Sequence, residues 1–368
     1  PWLTATGALH AAMLPSRRES LKGWTVVLVL VTFQLTLLGT FMTRSGVFNS
    51  VHSFTQSAIG PVFLGFLAVC LVLSVTLLAA RIDRLSGEGE VFTPVSREAT
   101  FLLNNLIFVG LTFTILLGTT FPLIREATSG VKLSVGAPYF DQVAIPAGIT
   151  LLFLMGVGPA LPWGEPSARR VAAEVGIPAL TSTVVGLTFW AVFGVNKPLV
   201  VLTLACATFA TIVSFRELFR PIRVRMREQG EALGTAWARA WTRGRRRVGG
   251  YTVHLGIIMM IVAIALSHAY QQEKQLILTV GEPVLFQEYT LTYQGGRKVT
   301  EPHRKREIAD VDFAGGGRSG RLEPALNHYP SMMNSIGTPD VRPTLTHDLY
   351  LSLVSITGNS AVIHAYRN

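Results

Sequence analysis

Arg245-Arg246-Arg247-Val248-Gly249-Gly250-Tyr251-Thr252-Val253-His254-Leu255-Gly256-Ile257-Ile258-Met259-Met260-Ile261-Val262-Ala263-Ile264-Ala265-Leu266-Ser267-His268 sets an arginine cluster ahead of a long apolar run. A helix of about 20 such residues spans the hydrocarbon of a bilayer, and arginines gather at its cytoplasmic end. His254 lies inside the run, a costly position for an imidazole. Upstream the pattern repeats, with membrane-length apolar stretches at 21–43, 60–80, 99–121, 143–163, 175–194 and 197–215, before the last at 250–269. Residues 1–14 read as the tail of an eighth helix, so the sequence predicts a piece of a longer bundle. Pro1 without a charged n-region excludes a signal peptide.

The composition agrees. Of 368 residues, 49% are hydrophobic and only 15% charged, against about 25% charged in an ordinary soluble domain. Lys and Arg number 32 against 22 acids, and their positions say why. Eighteen lie in alternate segments: 15–22, 81–98, the loop with Arg169 and Arg170, and 216–248. The intervening loops hold Arg44, Arg125, Lys132 and Lys197. That asymmetry makes the first set cytoplasmic and puts residues 270–368 outside. In 216–248, Trp237 and Trp241 precede Arg243 as on a helix lying on membrane lipid. No nucleic-acid-binding motif accompanies these arginines, so no nucleic acid partner is expected.

Residues 270–368 are different, with ten basic and ten acidic residues and no long apolar run. β-type segments recur: Gln275–Val280, Val284–Tyr293 before Gly295-Gly296, Ile308–Phe313 before Gly315–Gly317, and Leu349–Ile356. The sequence therefore predicts a polytopic α-helical membrane protein. It has a transmembrane core at 1–269, an outward loop or surface helix at 44–59, a basic cytoplasmic loop at 216–248 and a mainly β extracytoplasmic domain at 270–368. Cys70 and Cys206, 136 positions apart, exclude a disulfide scaffold, a CxxC pair and a c-type haem attachment site within the chain. Without a Walker motif, GxSxG, GxGxxG or HExxH, hydrolase and nucleotide-driven readings lose their usual support.

The topology sorts the eight histidines by depth. His10 lies seven residues before Arg17, and His254 seven after Arg247, so both sit roughly 10 Å inside the cytoplasmic boundary. Two imidazoles at one depth on separate helices suit the axial ligands of a haem; they equally suit interhelical hydrogen bonding. Thr6, Gly7 and Ala8 on one helix, and Gly249, Gly250 and Gly256 on the other, would leave room for a flat macrocycle. His52, on the outward segment, falls four residues after Phe48 if helical; such a loop histidine is either a ligand or inert. His268, at the outer end of the last span, and His303, His328, His347 and His364 in the tail have no metal-ligand spacing and read as surface or structural. Arg97 and Glu98 read as an interface anchor, and Asn104 and Asn105 as interhelical hydrogen bonders.

Several motifs in order resemble the CcmF-type cytochrome c haem lyase family. They are Pro1-Trp2-Leu3 through Ala8-Leu9-His10, Thr43-Arg44-Ser45-Gly46-Val47 through Ser50-Val51-His52-Ser53-Phe54, Ser96-Arg97-Glu98 with Leu102-Leu103-Asn104-Asn105, Val135-Gly136-Ala137-Pro138-Tyr139-Phe140, and Gly250-Tyr251-Thr252-Val253-His254-Leu255-Gly256. Thr346-His347-Asp348-Leu349-Tyr350 is similar to an Arg-Asp-Leu-Tyr element, with histidine in place of arginine. The resemblance implies that His10 and His254 are axial ligands of an embedded b haem and that His52 ligates an incoming haem and acts in catalysis. It implies a bacterial inner-membrane protein with a periplasmic domain. Its implied partners are a CcmE-type haem chaperone, apocytochrome c with a CxxCH motif, CcmH/CcmI-type thiol-reducing and docking subunits, and quinol. The reaction implied is thioether ligation of haem to apocytochrome, with haem as substrate and the embedded haem reducing its iron. The family's Trp-rich outward loop, second outward histidine and last membrane helix are not in this sequence. Readings of a different class are a quinol-linked cytochrome b, which gives no role to His52, and a permease, which calls for paired inverted halves.

Overall fold

The computed structural model describes residues 1–13, 22–45, 59–85, 95–131, 133–164, 167–329, 335–344 and 347–367. Two compact units emerge, Pro1–Val262 and Ala263–Asn368, the division falling within the last helix.

The first unit is helical: α1 Trp2–Ala12, α2 Lys22–Arg44, α3 Ile59–Ala79, the single turn α4 Ile82–Leu85, α5 Arg97–Ser129, α6 Ala137–Ala160, α7 Ala168–Ala191, α8 Pro198–Glu228, α9 Leu233–Arg243 and α10 Arg245–Tyr270. Seven of these, α2, α3, α5, α6, α7, α8 and α10, are long and apolar enough to cross a membrane. Their starts follow local chemistry. Ser96 Oγ accepts the Ala99 N–H at 3.2 Å and opens α5; Ser167 accepts from Arg170 and opens α7; Pro198 sits in the first turn of α8. Gly130, at φ 68°, closes α5 in the left-handed conformation. α8 is the most enclosed helix, with Leu152 of α6, Cys206, Ala207 and Ala210 of α8, and Ile258 of α10 forming one apolar cluster. Large side chains such as Val62, Val69, Ile177 and Met259 stay exposed, as lipid-facing residues do.

Segment 216–248 is helical for most of its length. α8 runs thirteen residues past the predicted span, to Glu228. Straight-chain Arg and Glu favour helix, and the arginines find acids: Arg216 with Glu174 at 3.0 Å, Arg247 with Glu217 at 2.5 Å, and Arg225 and Arg239 with Glu231. On α9, Ala236 and Ala240 bury against Ile222, while Trp237 and Trp241 stack at 5.3 Å on the exposed side.

The second unit carries two antiparallel sheets. One orders β1 (Gln272–Thr279), β10 (Ser360–Arg367), β9 (Asp348–Thr357) and β8 (Asp340–Pro343). The other orders β2 (Pro283–Phe286), β3 (Tyr289–Glu301), β4 (Arg304–Gly315), β6 (Ala325–His328) and β7 (Ile336–Thr338), with β5 (Arg318–Leu322) also on β4. Alternate residues of both point into a shared core: Tyr289, Leu291, Tyr293, Val311 and Phe313 from one, Leu349, Leu351, Ala361 and Ile363 from the other. The expected class therefore holds: membrane-type helices followed by a mainly β domain. Two local expectations fail. The stretch 284–293 is two strands, because Gln287 takes φ 54° in a two-residue hairpin turn. Gly295-Gly296 does not end a strand but stays paired with β4 just past a bulge at Gln294, and a Cβ on Gly296 would lie 2.8 Å from Ile356 and from the Tyr293 hydroxyl.

Candidate functional site

Three helices build the site. Phe101, Asn104, Asn105 and Phe108 recur along one face of α5. α1 approaches that face at Gly7, where a Cβ would come 3.4 Å from Asn105 Oδ1. The next turn presents His10. Its ring stacks on Phe108 at 6.1 Å, meets Phe101 edge-on at 5.8 Å, and its Nδ1 lies 2.9 Å from Asn104 Nδ2. From α10 comes His254, with its ring centre 6.4 Å from that of His10 and the planes 80° apart. Tyr251, one turn before it, lies 5.8 Å away. The structure thus brings together the two histidines that the sequence put at one depth.

Aromatic and charged groups extend the cluster. Phe101 stacks on Trp163 at 6.0 Å, and the Arg97 guanidinium lies 4.9 Å over the same indole. Glu98 is 2% exposed and accepts the Gly164 N–H at 3.0 and 3.2 Å, tying the end of α6 to the start of α5. Arg97 and Glu98 therefore fix the register of α5, and with it Phe101, Asn104 and Phe108.

The polar atoms of the pair are unequally satisfied. His10 has Asn104; the Nδ1 of His254 is buried with no hydrogen-bond partner among the described residues. An unpaired buried donor or acceptor costs about 1–3 kcal/mol. Among those residues no third His, Cys, Asp or Glu completes a metal-binding group. Two imidazoles on separate helices are fewer donors than a four-ligand zinc site needs. Gly249, Gly250 and Gly256 of α10 face open space, so a flat ring there meets no side chain of theirs.

His52 lies outside the described residues, as does most of the 44–59 segment. Of the tail histidines, three are engaged: His347 Nε2 lies 2.7 Å from the Tyr289 hydroxyl and 2.7 Å from Glu288, His328 Nδ1 2.6 Å from Ser335, and His364 2.9 Å from Glu273. Sequence reasoning passed over Phe101, Phe108 and Tyr251 as site residues. Their spacing from Asn104 and His254 was visible, but not which helices are neighbours.

Fold and site together define a polytopic helical membrane protein with a paired-imidazole centre and a C-terminal β domain. No family model matches the chain. It is 33% identical over 322 residues to the cytochrome c-type biogenesis protein CycK of Rhizobium meliloti, covering 86% of this chain and 46% of that protein. It is 30% identical over 363 residues to the cytochrome c-type biogenesis protein CcmF of Pseudomonas aeruginosa, covering 98% and 54%. A solved structure described as cytochrome c heme lyase CcmF superposes with a TM-score of 0.72 at 26% identity, covering all of this chain and 55% of the other. The chain is thus a relative of the CcmF and CycK cytochrome c-type biogenesis proteins, and it spans about half the length of the curated relatives it matches.

Proposed function

We propose that this chain forms part of a cytochrome c haem lyase of the bacterial inner membrane, with residues 270–368 on the periplasmic side. The observation that carries the reading is the His10–His254 pair, in a chain similar to proteins named for cytochrome c biogenesis. The two ring centres stand 6.4 Å apart on separate helices, near enough that both imidazoles could hold one haem iron.

His10 and His254 would hold a b-type haem, which when bound supplies one-electron chemistry. Asn104 orients His10, Phe101 and Phe108 keep its ring from turning, and Tyr251 packs on His254. His52 would bind the substrate haem delivered by a haem chaperone. Apocytochrome c supplies the CxxCH thiols; each S–H adds across a vinyl C=C, sulfur to one carbon and hydrogen to the other, with no net redox change. Positioning is then the main contribution of the protein. Thiol-reducing and docking subunits and quinol complete the set of partners in this reading.

The test is spectroscopic. Protein purified with its full-length chain should show a bis-imidazole haem b spectrum, and His10→Ala or His254→Ala should remove it. Both variants keeping haem with unchanged ligation would sink the assignment. His52→Ala should retain the spectrum yet fail to mature cytochrome c in cells; normal maturation removes His52 from the mechanism.

A further inference from the structure

The β domain contains seven arginines. Five are salt-bridged: Arg297 to Asp310 and Glu323, Arg304 and Arg306 to Glu301, Arg321 to Asp312, and Arg367 to Glu288. Arg318 and Arg342 have no acidic partner among the described residues, and the Nε of Arg342 is buried without a hydrogen bond. These two line one cavity of about 520 Å³. They reach it from different sheets, Arg318 at the start of β5 and Arg342 within β8. The turn Gly315–Gly317 sets the rim, with Gly316 and Gly317 in the left-handed region; a Cβ on Gly315 would collide with the Glu288 carbonyl.

The rest of the wall is mainly apolar, with Phe313, Pro343 and the ring of Tyr289. The polar groups of Tyr289 and His347 are spent on each other and on Glu288, so they leave the arginines as the uncompensated charge. Arg318 is exposed and Arg342 half-buried, and two guanidinium groups beside an apolar wall are well matched to an anion on an apolar body, since Arg pairs with carboxylates through two parallel hydrogen bonds. The volume lies in the range that holds a drug-sized ligand. A small inorganic anion would satisfy the charges and leave Phe313 and Pro343 unfilled.

We propose that this cavity binds a flat, apolar dicarboxylate, its acid groups on Arg318 and Arg342. Resting on the haem chemistry proposed above, we identify that ligand as a porphyrin held by its two carboxylates. The site is separate from the His10–His254 pair and uses no iron ligand, so metal-free protoporphyrin IX is the appropriate probe.

Phenylglyoxal modification of the full chain in lipid nanodiscs, read arginine by arginine by mass spectrometry, tests it. Protoporphyrin IX should slow modification of Arg318 and Arg342 at least about tenfold, as charge-assisted pairs of ordinary strength would. Its dimethyl ester, with the same ring and no charge, should not; nor should inorganic phosphate at equal concentration. Arg342→Gln should lose protection of Arg318. Protection by ester or phosphate equal to that by the diacid, or none by any of them, overturns the proposal. His254→Ala should leave protection intact, and its loss there would also overturn it. Absence of a haem spectrum in the purified protein would refute the embedded-haem reading while leaving this assay readable.

Discussion

His10 has one hydrogen-bond partner among the described residues, and that partner decides which ring nitrogen carries the proton. A 180° turn of the Asn104 amide presents either N–H or C=O to Nδ1. With C=O facing, Nδ1 is the protonated nitrogen and Nε2 keeps a free lone pair. Outer partners of this kind change metal affinity by about 10–100-fold when removed. On the proposed reading that His10 and His254 hold a haem, Asn104→Leu should therefore weaken haem retention by that factor while leaving the helices folded. Asn104→Asp should restore retention and lower the haem midpoint potential, because a carboxylate makes the imidazole a stronger donor. Redox titration of the three proteins decides, and equal haem content and potential in all of them would remove Asn104 from the site. The imidazoles were legible in the sequence, since ionisable groups in apolar runs are conspicuous. Asn104 was legible only as a polar residue between helices, because helical periodicity gives a face and not the neighbour it meets.

At the scale of elements, close helix contact depends on missing side chains. Gly156 of α6 faces Phe209 of α8, and a Cβ there would lie 2.4 Å from the ring. Lipid offers little apolar drive for association, so such backbone approach carries much of the packing. Gly156→Val should destabilise the bundle by about 1–3 kcal/mol, the usual cost of overpacking. Gly148→Val, on the same helix in open space, should cost far less. Thermal aggregation midpoints in one detergent compare the two, and equal losses would refute the contact as the cause.

In the β domain, three carboxyls on the β3–β4 ribbon titrate below their ordinary range. Arg304 holds down Glu301, Lys298 holds down Glu307, and Arg321 holds down Asp312, chiefly through hydrogen bonds to the charged form. A depressed folded-state pKa contributes stability that is complete above the unfolded values, 4.5 for Glu and 3.8 for Asp, and is lost as pH falls through the lower folded values. The β-sheet infrared band of the full chain should thus melt at one temperature from pH 8 to about 5 and progressively lower below about 4. A midpoint that rises on acidification would contradict these pairings. Alternation in β9 made that strand readable, while β10 (Ser360–Arg367) was not picked out. Nor was the continuation of β3 through Gly295-Gly296 readable, since Gly-Gly carries the same signature in a turn and within a strand; here the side chain of Ile356 leaves no room for a Cβ at Gly296.

For the whole molecule, the arginine asymmetry makes a topological prediction. A cysteine at Arg243, exposed at the end of α9, should be labelled by a membrane-impermeant maleimide only in inverted vesicles. One at Asn359, exposed in the turn between β9 and β10, should be labelled only in right-side-out spheroplasts. Labelling of both from one side would reverse the proposed placement of residues 270–368. What the amino-acid sequence determined by itself was partition: which segments are apolar enough for lipid, which carry the arginines, and where helix gives way to strand. Those are properties of single segments in a solvent, additive along the chain, so no neighbour is needed to read them. Only the tertiary structure decided which histidine meets which amide and that, among the described residues, His254 keeps an unsatisfied nitrogen and two of seven arginines share a cavity without an acid. Hydrogen bonds and ion pairs act over a few ångströms between residues distant in the chain, and packing alone sets those distances.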